Sequence, residues 1–171
     1  MRASIYWVDH PRGFRIGIMA RPRAGEWLAD EIAGWREEVQ SVVSLLEAEE
    51  VSDLELADEE GLCRAAGIDF LSFPIPDRGV PASFGEARTL AEALCTRGAE
   101  GKAIAIHCRA GIGRSSIVAG AALILSGLSA PEAVAAIGKA RGLNVPDTDE
   151  QLQWLHAFAE HVEAGRHEPA D

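Results

Sequence analysis

Basic residues are scarce in this chain of 171 residues, in which 16 Lys and Arg stand against 27 Asp and Glu. The formal net charge of −11 disfavours a general binding surface for nucleic acid or for an anionic membrane, because both are negatively charged. We therefore expect no nucleic-acid partner and no membrane partner. An anionic ligand would need a local positive pocket that acts against the overall field of the protein.

Long apolar runs are also missing. No run reaches the roughly 18 residues of a membrane span, and the N-terminus lacks a signal-peptide pattern. The three cysteines are odd in number and irregularly spaced, which argues against a disulfide framework and against a zinc site. We expect a cytoplasmic protein that needs no metal and no cofactor.

The remaining composition is that of one globular domain with its own core, with 47% apolar and 25% charged residues. We predict that this domain covers residues 1–165 and that residues 166–171 form a C-terminal tail. Strand-like and helix-like segments alternate along the chain. They predict an α/β fold with a central, mainly parallel sheet of four or five strands and helices on both faces. In such a sheet the ligand site lies at the carboxyl ends of the strands.

The most informative stretch is residues 103–117. Residues 103–106 form a short apolar run typical of a buried strand, and residues 115–125 are apolar and compatible with a helix. Between them, Gly111 and Gly113 allow the backbone to turn with its amides inward. Converging amides and the start of a helix favour a negatively charged ligand, so this stretch predicts an anion site.

Reactive side chains lie at both ends of this glycine-containing loop. A helix N-terminus or a nearby cation lowers the pKa of a thiol from about 8.5 to roughly 3.5–7.5, so we expect Cys108 to be a nucleophilic thiolate. Arg114, six residues later, has a planar fork that can hold two phosphate oxygens at once. Ser115 could donate a hydrogen bond to the sulfur, and His107 could orient the loop from beneath. The intervening residues would bind the substrate: Arg109, Ala110, Gly111, Ile112 and Gly113.

The pattern His-Cys-x-x-Gly-x-x-Arg-Ser resembles the signature of the cysteine-dependent protein tyrosine and dual-specificity phosphatases. The fixed positions are occupied by His107, Cys108, Gly111, Arg114 and Ser115. The resemblance extends over most of the chain and is greatest to bacterial dual-specificity-like and kinase-associated phosphatases. It implies a dual-specificity phosphatase-like fold and a phosphocysteine intermediate. The alternative is a buried cysteine beside an ordinary glycine turn.

A second segment with catalytic potential is the proline-rich loop of residues 73–81, which three prolines stiffen. Asp77 lies at its apex, with Arg78 beside it. A departing alkoxide or phenolate needs a proton, and a carboxyl group on a movable loop can supply one. The Pro-x-x-Asp pattern, 31 positions before Cys108, is similar to the general-acid loop of the same phosphatases. The resemblance implies that Asp77 is the general acid; an Asp in an ordinary proline turn is the alternative. Arg78 beside it is expected to contact the substrate.

The resemblance also singles out Gln151. Related phosphatases hold a glutamine here that positions water for hydrolysis of the phosphocysteine, and a surface amide that opens a helix is the other interpretation. Two expectations concern packing alone. The acidic segment 47–60 is expected to be a solvated face. Trp27 and Trp35 are expected to be core anchors on an amphipathic helix over residues 26–38.

Three functions stay open. The chain shows no N-terminal loop of the kind that deepens the pocket of tyrosine-specific enzymes, so we expect a shallow pocket that takes phosphotyrosine and also phosphoserine or phosphothreonine in proteins. Inositol-phosphate enzymes of this superfamily often carry lysines in the loop, where this chain has only Arg109 at the variable positions; a small phosphate ester is therefore the second choice. The third is a catalytically silent module that binds phosphoproteins, against which intact Cys108, Arg114 and Asp77 argue.

Overall fold

A computed structural model of the chain describes residues 3–168. Within these residues five strands form one sheet: β1 (Tyr6–Val8), β2 (Ile16–Met19), β3 (Ser41–Ser44), β4 (Asp69–Ser72) and β5 (Ile104–His107). Their spatial order is β1-β2-β5-β3-β4, and every neighbouring pair is parallel except β1 with β2. The predicted mainly parallel sheet is confirmed, with β5 at its centre.

Helices cover both faces of this sheet, as predicted. Within the described residues they are α1 (Leu28–Trp35), α2 (Ala48–Asp53), α3 (Glu59–Ala65), α4 (Phe84–Ala99), α5 (Arg114–Leu125), α6 (Ala130–Arg141) and α7 (Asp149–Arg166). Side chains alternate along β5: Ile104 and Ile106 pack with α4, α5, α6 and α7, whereas Ala105 packs with α1 and α3. Because both faces are covered, β5 is apolar along almost its whole length.

The segment before α1 differs from the prediction. Residues Gly25–Trp27 form a 3-10 turn, and α1 begins only at Leu28. Trp35 is fully buried, as expected, but Trp27 is 51% exposed, so its predicted role as a core anchor is wrong. The turn places its ring outside the buried stripe of α1, where the guanidinium of Arg23 lies 5.1 Å from the ring centroid.

The last helix extends one residue past the predicted end of the domain at residue 165. Helix α7 continues to Arg166, which the sequence analysis assigned to the tail. Residues 169–171 of that predicted tail lie outside the described residues. The division into a domain of residues 1–165 and a tail stays a prediction. No helix in the described part of the chain is long and apolar enough to cross a membrane.

Candidate active site

The loop of residues 108–113, called here the cysteine loop, joins the end of β5 to the start of α5. It therefore lies at the carboxyl end of the central strand, with the N-terminus of a buried helix behind it. Gly111 adopts a φ of +69°, and a Cβ atom there would lie 2.6 Å from the backbone nitrogen of Ala20. Only glycine meets both conditions, so this residue allows the cysteine loop to pack against the end of β2.

Cys108 is buried at the start of the cysteine loop. Burial alone would raise the pKa of its thiol, but hydrogen bonds from Ser115, through hydroxyl and amide, and from the amides of Gly111 and Ile112 lower the pKa below the ordinary value. The Ser115 hydroxyl lies 3.6 Å from the sulfur. Burial instead raises the pKa of the Cys63 thiol to about 12. The surroundings thus favour a thiolate at Cys108 and a neutral thiol at Cys63.

Arg114 begins α5, and its guanidinium is almost completely buried. Nη1 and Nη2 donate to the two carboxylate oxygens of Glu50, over 2.7 and 2.9 Å. Nη1 also donates to the carbonyl of Ile75 at 3.0 Å, and Nη2 to Asp77 Oδ1 at 3.1 Å. Burial alone would lower the pKa of Arg114, but the bond to Glu50 and the charge of Cys108 raise it. The guanidinium is therefore a fixed cation behind the cysteine loop.

His107 lies beneath the cysteine loop and is fully buried. Its Nε2 is 2.7 Å from Oε1 of Glu59, and its Nδ1 is 3.3 Å from the carbonyl of Cys108. Burial alone would lower the pKa of His107, but the charge and hydrogen bond of Glu59 raise it. A buried imidazole that carries a positive charge would favour the thiolate beside it.

The buried positions of Glu50 and Glu59 correct the sequence analysis, which expected the whole acidic segment 47–60 to be solvated. Each of these two carboxylates instead pairs with a basic side chain of the site, Glu50 with Arg114 and Glu59 with His107. Glu50 follows Glu47 with the spacing of a capping box, which the structure shows at the start of α2. That local signal fixes a helix start, and it gives no indication of a partner 64 positions away.

The proline-rich loop of residues 73–81, called here the proline loop, follows β4 and brings Asp77 to Arg114. The Asp77 side chain stays 55% exposed, so it contacts both the buried cation and solvent. Arg78 beside it has a φ of +58° and pairs with Asp147 at 3.0 Å. The proline loop is therefore held against the segment that precedes α7.

Gln151, in the first turn of α7, is fully buried. Its Nε2 donates to the carbonyl of Gly79, and its Oε1 accepts hydrogen bonds from the amides of Asp147 and Thr148. It is thus not the surface amide of the alternative interpretation. The side chain connects the proline loop to the N-terminus of α7.

Most of the candidate residues meet at one cavity of about 210 Å³. Its lining comprises Asp77, Arg78, Cys108, Arg109, Ala110, Ile112, Gly113, Arg114, Asp147 and Gln151. Gly111, Ser115 and His107 are not among the lining residues; Ser115 contacts the sulfur and His107 lies behind the loop. Asp147 was not anticipated. In the part of the chain described here, no group of three or more His, Cys, Asp or Glu could hold a metal ion.

Comparison with known proteins defines the class to which this site belongs. The sequence model of the family described as "Swiss Army Knife protein, DSP-PTPase phosphatase domain" matches residues 4–171. The chain belongs to this family of dual-specificity and protein tyrosine phosphatases. The family predicted from the residues around Cys108 is therefore confirmed.

Two curated relatives and two solved structures illustrate the likeness. The cyclin-dependent kinase inhibitor 3 proteins of Rattus norvegicus and Mus musculus are 29% and 30% identical over 128 and 127 residues, which is 74% of this chain in both comparisons. The chain spans about 60% of the length of these relatives. Kinase associated phosphatase with serine in place of its catalytic cysteine has the same fold, with a TM-score of 0.86, 22% identity, and 96% and 98% of the two chains covered. The active form of Tk-PTP gives a TM-score of 0.76 and 28% identity over 92% of this chain and 97% of that one.

Proposed function

We propose that this chain hydrolyses phosphate monoesters in two steps through a phosphocysteine intermediate. The observation that carries the proposal is the environment of Cys108. Its pKa is lowered by surrounding donors, and it lies in the same cavity as Asp77 and Arg114. A nucleophile, a carboxyl group and a buried cation in one cavity are the groups that such a reaction needs.

In the first step the sulfur of Cys108 attacks phosphorus in line with the ester oxygen. The S–P bond forms as the P–O bond breaks, and the carboxyl group of Asp77 gives its proton to the departing oxygen. The amides of residues 109–114 and the guanidinium of Arg114 bind the equatorial oxygens and stabilise their growing charge. The hydrogen bond between Asp77 and Arg114 supports this arrangement, because it places the carboxyl group at the cation.

In the second step water releases phosphate from the cysteine. The Asp77 carboxylate takes a proton from this water, the new P–O bond forms, and the thiolate leaves with the S–P electron pair. Gln151 would position the water. Its place in the cavity lining and its bond to Gly79, two residues after Asp77, support that role.

We propose phosphorylated proteins as the substrates, with phosphotyrosine first and phosphoserine or phosphothreonine as a second class. The cavity of about 210 Å³ contains one buried cation, Arg114, and Ile112 is among its lining residues. A cavity of this kind suits a single phosphate on an apolar or aromatic group better than a highly phosphorylated ring. Two curated relatives bear the name of a kinase inhibitor, which is consistent with a protein partner. A cytoplasmic location stays part of this proposal, because a reducing compartment would preserve the thiol.

A small phosphate ester such as an inositol phosphate is the second candidate. The side chains of Arg78 and Arg109 are largely exposed at the cavity, where they could meet additional phosphates. A structure of PTPMT1 with the same fold is described in complex with PI(5)P. Initial rates on a phosphotyrosine peptide, a phosphothreonine peptide and an inositol phosphate would rank the substrate classes. A preference for the inositol phosphate would replace the protein-substrate proposal.

Turnover of p-nitrophenyl phosphate tests the reaction itself. We expect Cys108→Ser to abolish turnover, while Cys95→Ser, a partly buried thiol outside the cavity, keeps it. We expect Asp77→Asn to lower kcat by about 10²- to 10⁴-fold, with exposed Asp53→Asn as its control. Full activity of Cys108→Ser would contradict the mechanism. Binding without turnover by the wild-type chain would instead favour the silent phosphoprotein-binding module.

A further inference from the structure

The carbonyl groups on the outer side of the cysteine loop have a partner that the proposed mechanism does not use. Arg141, the last residue of α6, donates from Nε to the carbonyl of Gly111 at 3.1 Å and from Nη2 to the carbonyl of Ala110 at 3.4 Å. Its guanidinium also lies 4.2 Å from the ring centroid of Tyr6 in β1. This cation–π contact fixes the plane of the guanidinium beside the loop.

Peptide geometry connects these carbonyls to the sulfur of Cys108. In a planar trans peptide, the carbonyl of one residue and the amide of the next point in opposite directions. The carbonyl of Ala110 shares its plane with the amide of Gly111, and the carbonyl of Gly111 shares its plane with the amide of Ile112. These are two of the amides that bond to Cys108 and lower its pKa. A side chain that holds the carbonyls outward therefore holds the two amides inward.

The carbonyl of the preceding loop residue also accepts a hydrogen bond from a donor outside the loop. The carbonyl of Arg109 accepts a hydrogen bond from the backbone nitrogen of Arg21 at 3.3 Å. Three consecutive carbonyls thus have external donors, the first from the main chain and the next two from a single side chain. Arg141 is the part of this support that a substitution can remove.

We propose that Arg141 is a positioning residue for the cysteine loop, which keeps the amides of Gly111 and Ile112 directed at the sulfur and at a bound phosphate. The proposal rests on the proposed function for the identity of the ligand. It depends on the shape of the guanidinium as well as on its charge, because two donors in one plane match two consecutive carbonyls. A lysine would keep the charge and lose that match.

Three variants distinguish the effect of the shape of the guanidinium from that of its charge and from a general disturbance of α6. Arg141→Met removes both charge and donors, and Arg141→Lys restores only the charge. Lys139→Met is the matched control, because Lys139 lies on the same helix, is 82% exposed and pairs only loosely with Asp9 at 3.8 Å. The charged groups that interact with the thiol, His107 from β5 and Arg114 from α5, stay unchanged in all three variants.

Two measurements report on the loop without any turnover. The first is the pH midpoint of iodoacetamide alkylation, followed by mass spectrometry of the peptide that contains Cys108. The second is the dissociation constant of inorganic phosphate from calorimetric titration at fixed pH. Thermal denaturation of each variant shows that it is folded. Absence of phosphatase activity in the wild-type protein would count against the proposed function. The alkylation midpoint and the phosphate dissociation constant would still test the role of Arg141.

For Arg141→Met we expect the midpoint to rise by about one pH unit, since two of the stabilising amides lose their support. We expect phosphate binding to weaken about tenfold. Arg141→Lys should lie between Arg141→Met and wild type, and Lys139→Met should match wild type. A folded Arg141→Met variant with wild-type midpoint and affinity would overturn the proposal. An Arg141→Lys variant with wild-type midpoint and affinity would also overturn it. That variant decides the test if Arg141→Met does not fold.

Discussion

The ion pair between Glu50 and Arg114 can be tested by a substitution that changes its charge and little else. In Glu50→Gln the side chain keeps an oxygen that can accept the hydrogen bond from the amide of Glu47, which is 3.0 Å long. Helix α2 then keeps its N-terminal cap, since glutamate and glutamine both serve in a capping box. The substitution removes the negative charge and replaces the oxygen that accepts from the second guanidinium nitrogen by an NH2 group, which cannot accept.

The expected loss of stability follows from the contacts that remain. The side chains of Arg114 and Glu50 are 2% and 11% exposed, and removing one partner of a buried pair costs about 3–5 kcal/mol. The loss should be smaller here, because the new amide still accepts one bond and Arg114 keeps Ile75 and Asp77 as partners. We expect about 1.5–3 kcal/mol, the range for a hydrogen bond to a charged group. At this chain length the Tm would fall by about 3–12 °C.

Activity should fall as well, because the guanidinium loses the partner that fixes its position. A misplacement of about 1 Å can reduce the rate about 100-fold, so we expect kcat/KM on p-nitrophenyl phosphate to fall roughly 10- to 100-fold. Glu49→Gln is the matched control, since it makes the same charge change at the exposed neighbouring position. Equal Tm and equal turnover in Glu50→Gln and Glu49→Gln would refute the reasoning.

The same pair should make stability depend on pH. Burial alone would raise the pKa of Glu50, but its hydrogen bond to Arg114 lowers it. A folded-state pKa below the unfolded value of about 4.3 gives stability that is present above that pH and is lost as the pH falls through the folded pKa. The Tm difference between wild type and Glu50→Gln should therefore be full at pH 7 and shrink below about pH 4.

Two further predictions concern the cysteine loop. Glu59→Gln removes the charge that raises the pKa of His107, which burial alone would lower, so the pKa of His107 should fall and the thiol pKa of Cys108 should rise. Iodoacetamide alkylation as a function of pH measures this, and an unchanged midpoint would contradict it. Gly111→Ala adds a Cβ atom 2.6 Å from the backbone nitrogen of Ala20 at a φ of +69°, so we expect the free energy of unfolding to fall by about 2–5 kcal/mol and most activity to be lost. Gly101→Ala, at a φ of +80° with nothing within 4 Å, should lose only about 1 kcal/mol and stay active; equal denaturation midpoints of the two variants would refute the steric argument.

The parts of the site that the sequence predicts are those encoded locally. The apolar run, the glycine turn, Cys108 and Arg114 lie within one strand, one loop and one helix start, so their spacing alone determines that they face one another. The position of Asp77 near the cysteine loop is also predicted, because the loops that follow parallel strands all begin at the same edge of the sheet. Periodicity and turn residues place these segments, and the resemblance of the cysteine and Pro-x-x-Asp patterns to the phosphatase motifs then identifies the candidate residues.

The residues that the sequence analysis missed act across long separations. Glu50 binds Arg114 over 64 positions, and Glu59 binds His107 over 48. In a strongly acidic chain a run of glutamates is expected to be solvated, and nothing local distinguishes the two that turn inward. Arg141 was missed for the same reason, since its partners lie about 30 positions earlier. These contacts appear only once the fold brings α2 to the start of α5, α3 to the end of β5 and α6 to the cysteine loop.

These distant pairs also explain how an acidic protein would hold the phosphate that the proposed function requires. Carboxylates near the cysteine loop face basic side chains: Glu50 and Asp77 pair with Arg114, Glu59 with His107 and Asp147 with Arg78. Exposed charges farther away than about 8 Å are largely screened at physiological salt, so the net charge of the chain has little effect at the sulfur. The field there is set by the inward amides and by cations whose positions the carboxylates fix. The acidic composition therefore disfavours an extended polyanion spread over the surface, while a single phosphate in the cavity meets a local surplus of donors.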